Sequence, residues 1–135
     1  MLEPADILAI HQLLALYGHV IDERQWSRMG EVFTDDLVYD ASDFDQPVTR
    51  GIDALRDLWT RPDAPHPLAH HATNIVVTEN ADGTVGVLSK GLGVGYRGRV
   101  GSATYRDVVR HTPDGWRLAH RVATLRRPES IPEPS

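Results

Sequence analysis

The sequence predicts an α+β domain in which helices come first and a strongly curved, mainly antiparallel sheet follows. Apolar residues recur at three- and four-residue steps as far as Leu58, which is a helical period. After Pro67 the period shortens toward two, with turn signals at Asp82-Gly83, Arg97-Gly98 and Pro113-Asp114-Gly115. Helices followed by one sheet imply segregated layers, with the helices covering one sheet face.

Each element has its own signal. Behind Pro4 and Asp6, the residues Ile7, Ile10, Leu14, Tyr17 and Ile21 form one stripe on a long first helix. Trp26, Met29 and Phe33 repeat the spacing and predict a shorter second helix. Leu37 to Asp40 reads as a brief strand, and Ile52, Leu55 and Leu58 mark a third helix that must end before Pro62. Four strands of a meander are expected at Ala69–Thr78, Val85–Tyr96, Ala103–His111 and Trp116–Leu125. Gly91, Gly93, Gly95, Gly98 and Gly101 crowd the second of these strands and its exit, where absent side chains permit sharp coiling or close approach of another group. A sheet bent in this way and closed by helices encloses a pocket. Residues 1–127 are expected to form the domain and residues 128–135, rich in proline, a disordered tail.

Composition narrows the function classes. A chain of 135 residues, 41% hydrophobic and 24% charged, fits one globular core. A net charge of -5, with basic and acidic residues interleaved, offers no broad basic surface, so nucleic acid is not an expected partner. The absence of cysteine removes disulfides and thiolate chemistry and suits a cytoplasmic protein. The acidic start, Met1 to Asp6, lacks the basic flank of a signal peptide, and no uninterrupted apolar run suggests a membrane partner.

Two motifs fail on context. Gly93-Val94-Gly95-Tyr96-Arg97-Gly98 has the letters of a dinucleotide fingerprint, but a strand pattern follows it where a helix N-terminus would have to meet the pyrophosphate. His66, His70, His71, His111 and His120 suggest metal ligands. On an extended segment, however, His66 and His70 would stand about 13 Å apart, and His71 would face away from His70. Neither a cofactor nor a metal is expected.

Asp22 stands where the first helix ends, a place where a carboxylate opposes the negative end of the helix dipole. His19 or Arg24 would neutralise it locally. A strand histidine would instead use it to fix a tautomer and support the imidazolium. Arg121, between Ala119 and Ala123, is either a solvated arginine or a lone cation in space left by small neighbours. Tyr17 reads as core with its hydroxyl at a polar rim.

Taken in order, Tyr17-Gly18-His19-Val20-Ile21-Asp22, Trp26, Val32-Phe33-Thr34-Asp35-Asp36, Gly51, His70-His71-Ala72-Thr73-Asn74, Tyr105-x-Asp107 and Gly115-Trp116-Arg117-Leu118-x-x-Arg121 resemble the SnoaL-like branch of the nuclear transport factor 2-like superfamily. The resemblance implies a cone of helices and curved sheet around a hydrophobic pocket. It also implies cofactor-free catalysis by an aspartate at the end of the first helix and a histidine on the following strand, which are Asp22 and His70 here. Tyr17 and Arg121 match further catalytic positions of dehydratase and dehydrochlorinase members, and Trp26, His71 and Asn74 are expected to border the substrate. An additional acid used by one dehydratase falls here on Leu92-Gly93, and a second pocket histidine of another has no counterpart.

Together these readings predict a cofactor-independent lyase for a small hydrophobic ring-containing molecule, working by dehydratase-like elimination as in secondary metabolism. An isomerase, a polyketide cyclase, an epoxide hydrolase and a non-catalytic binding domain are the alternatives that share the cone. The hydrolase would need a second carboxylate, for which only Asp107 and Asp40 offer themselves. His70 rather than His71 is expected to face the pocket, and the resemblance implies a homodimer or homotrimer.

Overall fold

The computed structural model describes residues 1–135. Helix α1 (Pro4–Asp22) opens the chain, followed by a 3-10 segment (Trp26–Glu31), strand β1 (Phe33–Asp40), a short β2 (Thr49–Arg50) and helix α2 (Ile52–Trp59). Strands β3 (Ala69–Glu79), β4 (Val85–Val94), β5 (Val100–Thr112) and β6 (Gly115–Leu125) complete the fold. The six strands form one open sheet in the order β2-β1-β6-β5-β4-β3. All pairings are antiparallel except β1 with β6, which makes the sheet mixed.

Helix α1 begins with a capping box, in which Asp6 accepts from the Glu3 backbone, and has Pro at its first turn. Ile10, Leu14, Tyr17 and Ile21 are buried as the stripe requires, together with Leu13 and Val20, whereas Ile7 remains 39% exposed. Packed against them are Phe33, Leu37, Val85, Val87, Val109 and Leu118 from the sheet. By length and composition α1 is also long and apolar enough to cross a membrane. The sequence reading missed this because polar residues interrupt the apolar run, and in the fold the apolar stripe is occupied by the sheet.

Two local details differ from the sequence expectation, and the tail carries one short turn. The second helix is a single 3-10 stretch that stops at Glu31, and Phe33 starts β1 instead of closing the helix. The strand expected over Leu37–Asp40 begins at Phe33 and gains β2 as an edge partner. The stretch Pro128–Ser130 forms one 3-10 turn next to Arg127, whose guanidinium pairs with Asp43 at 2.9 Å.

Candidate functional site

The site lies where the end of α1 meets the beginning of β3. Gly18 makes the meeting possible, because a Cβ there would lie 2.7 Å from the carbonyl oxygen of His70. One turn later Asp22 ends the helix and grips His70 with both carboxylate oxygens. The His70 backbone N–H donates to Oδ2 at 2.9 Å, and its ring Nδ1 lies 2.6 Å from Oδ1. Both side chains are mostly buried, 16% and 15% exposed for His70 and Asp22. A carboxylate facing Nδ1 selects the tautomer that is protonated there, which leaves Nε2 as the free basic nitrogen. The local partners do not compete, since the Arg24 guanidinium donates to the Ile21 carbonyl at 2.8 Å.

His70 forms part of the wall of a cavity of about 1000 Å³. Beside it, Tyr17 meets the His70 ring edge to face at 5.9 Å between centroids. The hydroxyls of Tyr17 and Tyr39 lie 2.7 Å apart in buried surroundings. Burial, reinforced by the neighbouring Tyr39, holds the Tyr17 phenol well above its ordinary value, and burial pushes Tyr39 up to about 12. Both therefore stay protonated at neutral pH and act as hydrogen-bond donors. Tyr105 completes this group, its ring lying over Gly91 so closely that any side chain there would displace it.

The structure places Arg121 behind this wall, 1% exposed. Its Nε and Nη2 each donate to Asp107 at 2.8 Å, a bidentate buried pair. The guanidinium lies against the rings of both Tyr17 and Tyr105, 4.3 and 3.8 Å from their centroids. Burial disfavours its charge, but Asp107 outweighs this and raises its pKa well above the usual value, so it is a permanent cation. Its field lowers the cost of negative charge on the phenols in front of it. The two acids considered for water activation are both engaged elsewhere, Asp107 by Arg121 and Asp40 by Ser42 at 2.6 Å.

The remaining sequence candidates fall away from the cavity wall. Trp26 stacks behind it, at 6.3 Å from Trp59 and 5.6 Å from His66. His71 is exposed on the far side of β3. Asn74 is exposed and left-handed, with φ of 54°, within the register shift between Thr73 and Val76. The residues that sequence reasoning did not assign to the site are Tyr39, Trp59, His66 and Tyr105, all on the wall. His66 Nε2 lies 2.9 Å from the Trp59 carbonyl, which can only accept. Burial holds its pKa below the usual histidine value, so the ring is neutral and its Nδ1 is an acceptor. No three His, Asp or Glu side chains converge as a metal site.

The architecture and the pocket define a class: a small helix-and-sheet cone with a cavity beside one open sheet. Over residues 3–122 the chain matches the model of the SnoaL-like domain, and it belongs to that family. Among solved structures, a candidate aromatic ring hydroxylase from Novosphingobium aromaticivorans shares 29% identity at a TM-score of 0.72, over 95% of this chain and 94% of the other. A type 2 hexachlorocyclohexane dehydrochlorinase is 18% identical at a TM-score of 0.73, covering 91% of this chain and 86% of its own. A candidate scytalone dehydratase from N. aromaticivorans is 15% identical at 0.69, covering 91% and 85%. Likeness to the last two establishes the nuclear transport factor 2-like fold alone. No curated protein matches the chain.

Proposed function

We propose that this protein is a cofactor-independent acid–base enzyme acting on a small hydrophobic ring-containing molecule, and that it eliminates water from it as a lyase. The observation that carries the reading is the 2.6 Å contact of Asp22 with Nδ1 of His70, which stands on the wall of a cavity that is about half hydrophobic in its lining. His70 Nε2 removes a proton from a ring carbon next to a carbonyl. Electrons of that C–H bond form the new double bond as the neighbouring C–O bond breaks. The imidazolium, stabilised by Asp22, then returns the proton to the departing hydroxide, so that water leaves and the enzyme is restored. Such positioned acid–base catalysis is worth about 10²–10⁴-fold.

Within the Tyr17–Tyr39 pair one hydroxyl donates to the other, and the remaining O–H donates toward the carbonyl oxygen where negative charge develops, while Arg121 acts through the pair as a positioning cation that does not touch substrate. The same paired phenols suit an enolate, so a double-bond shift, as in an isomerase, is the second reading. The test is turnover of a panel of cyclic β-hydroxyketones, followed by enone absorbance. Turnover that disappears in a folded His70→Ala variant is expected, and equal turnover in that variant would overturn the proposal.

A further inference from the structure

The cavity has a polarity of its own. Its buried part carries Tyr17, Tyr39 and Tyr105, each less than a tenth exposed, with His70 beside them. Its exposed part carries Arg61, from the segment after α2, and Arg97 and Arg99, from the turn between β4 and β5. Asp63 is the one acidic residue on the wall. A chain with a net charge of -5 therefore places three guanidiniums against one carboxylate on the exposed part of this cavity wall.

These arginines are also uncommitted. Arg28, Arg56, Arg110, Arg121 and Arg127 each pair with a carboxylate. Arg61, Arg97 and Arg99 make no side-chain hydrogen bond or ion pair. Arg97 is in addition held left-handed, with φ of 58°, in a turn whose next residue, Gly98, has the glycine-favouring φ of 73°. An unbranched cationic residue held at such a backbone position costs stability that a glycine would spare. Cations that approach one cavity from two chain segments, with no internal partner, are arranged for an external anion.

We infer that the ligand of this cavity is an amphipathic anion, whose rings face His70 and whose carboxylate or phosphate is held on the exposed part of the wall by Arg61, Arg97 and Arg99. This names a substrate class for the site and rests on the acid–base reading above. An anionic tail anchored there fixes how far the rings reach, and so which ring carbon meets Nε2.

The experiment measures fluorescence-detected Kd values for 1-pyrenebutyrate, 1-pyrenebutanol and the phosphate ester of that alcohol. Wild type is compared with Arg61→Gln, with the Arg97→Gln/Arg99→Gln double variant, and with Arg106→Gln, which removes one exposed charge from β5. Wild type is expected to bind at least one anionic probe roughly tenfold tighter than the alcohol, with the preference reduced by high salt. The double variant should lose the preference while its affinity for the alcohol stays the same, and Arg106→Gln should keep it. The stronger of the two anionic probes tells carboxylate from phosphate. Equal binding of all three probes, or equal loss in Arg106→Gln, would overturn this inference and leave the acid–base reading intact. Failure of every probe to bind would count against the ring pocket itself, and so against both.

Discussion

Helix α1 and strand β3 touch backbone to backbone at Gly18 and His70, with no room for a Cβ between them. That approach brings the helix end to within hydrogen-bonding distance of the imidazole one turn later. Gly18→Ala should force the strand outward, because the obstructing atom is a carbonyl oxygen and not a flexible side chain. A loss of about 1–3 kcal/mol in urea denaturation is expected, accompanied by loss of the His70 Nδ1–H signal in proton NMR. Unchanged stability would mean that the two segments are not packed this closely.

Asp22→Asn should separate catalysis from folding. The amide keeps the size of the carboxylate but lets the wrong imidazole tautomer form and removes the charge that stabilises imidazolium. Turnover should fall by roughly 10²–10⁴-fold with a melting temperature near that of wild type. A large fall in melting temperature with turnover preserved would mark Asp22 as a structural residue.

The buried pair Arg121–Asp107 predicts an asymmetry. Asp107→Ala leaves a guanidinium buried without its carboxylate and should cost about 3–5 kcal/mol. The double variant Arg121→Met/Asp107→Leu removes both charges together and should be more stable than Asp107→Ala alone. Equal stability of the two variants, read from urea midpoints, would argue that Arg121 is solvated.

Alkaline stability follows from the phenols. Tyr39 ionises at about 12 in the folded protein because of burial, against about 10 when unfolded. A raised folded value means that the native state holds the proton more tightly. Its contribution is complete below pH 10 and is lost as pH rises from there through about 12. Tyr39→Phe should flatten the decline of urea midpoint over that window. An unaltered decline would place the ionisation that unfolds the chain elsewhere.

Much of this was legible in the chain because periodicity and turn chemistry are local. The α1 stripe, the glycines of β4 and the meander boundaries all carry their own signals. So did the oddity of Asp22, a carboxylate at the unfavourable end of a helix, which the contact with His70 now accounts for. The inward face of β3 was only half legible. His70 and Ala72 alternate inward as expected, but the register shift after Thr73 turns Ile75 and Val77 toward the core and leaves Val76 exposed. A bulge leaves no trace in a two-residue period until its partner strand is known. Arg121 and Asp107 were each singled out, but not their ion pair. Their pairing joins neighbouring strands, Asp107 opposite Arg121 in register, and no local pattern announces it. Tyr39 and Trp59 carry no signal of their own in the sequence and Tyr105 only a place in the family motif, because only the tertiary fold brings their rings to one cavity.

The central claim is that His70 Nε2 takes a proton from carbon. The most direct measurement is deuterium exchange at the α-carbon of cyclic ketones in D₂O, followed by mass spectrometry with wild type, His70→Ala and His71→Ala. Wild type and His71→Ala should catalyse exchange, and His70→Ala should not, with all three folded by circular dichroism. Exchange that persists in His70→Ala, or that is lost in His71→Ala instead, would contradict the account.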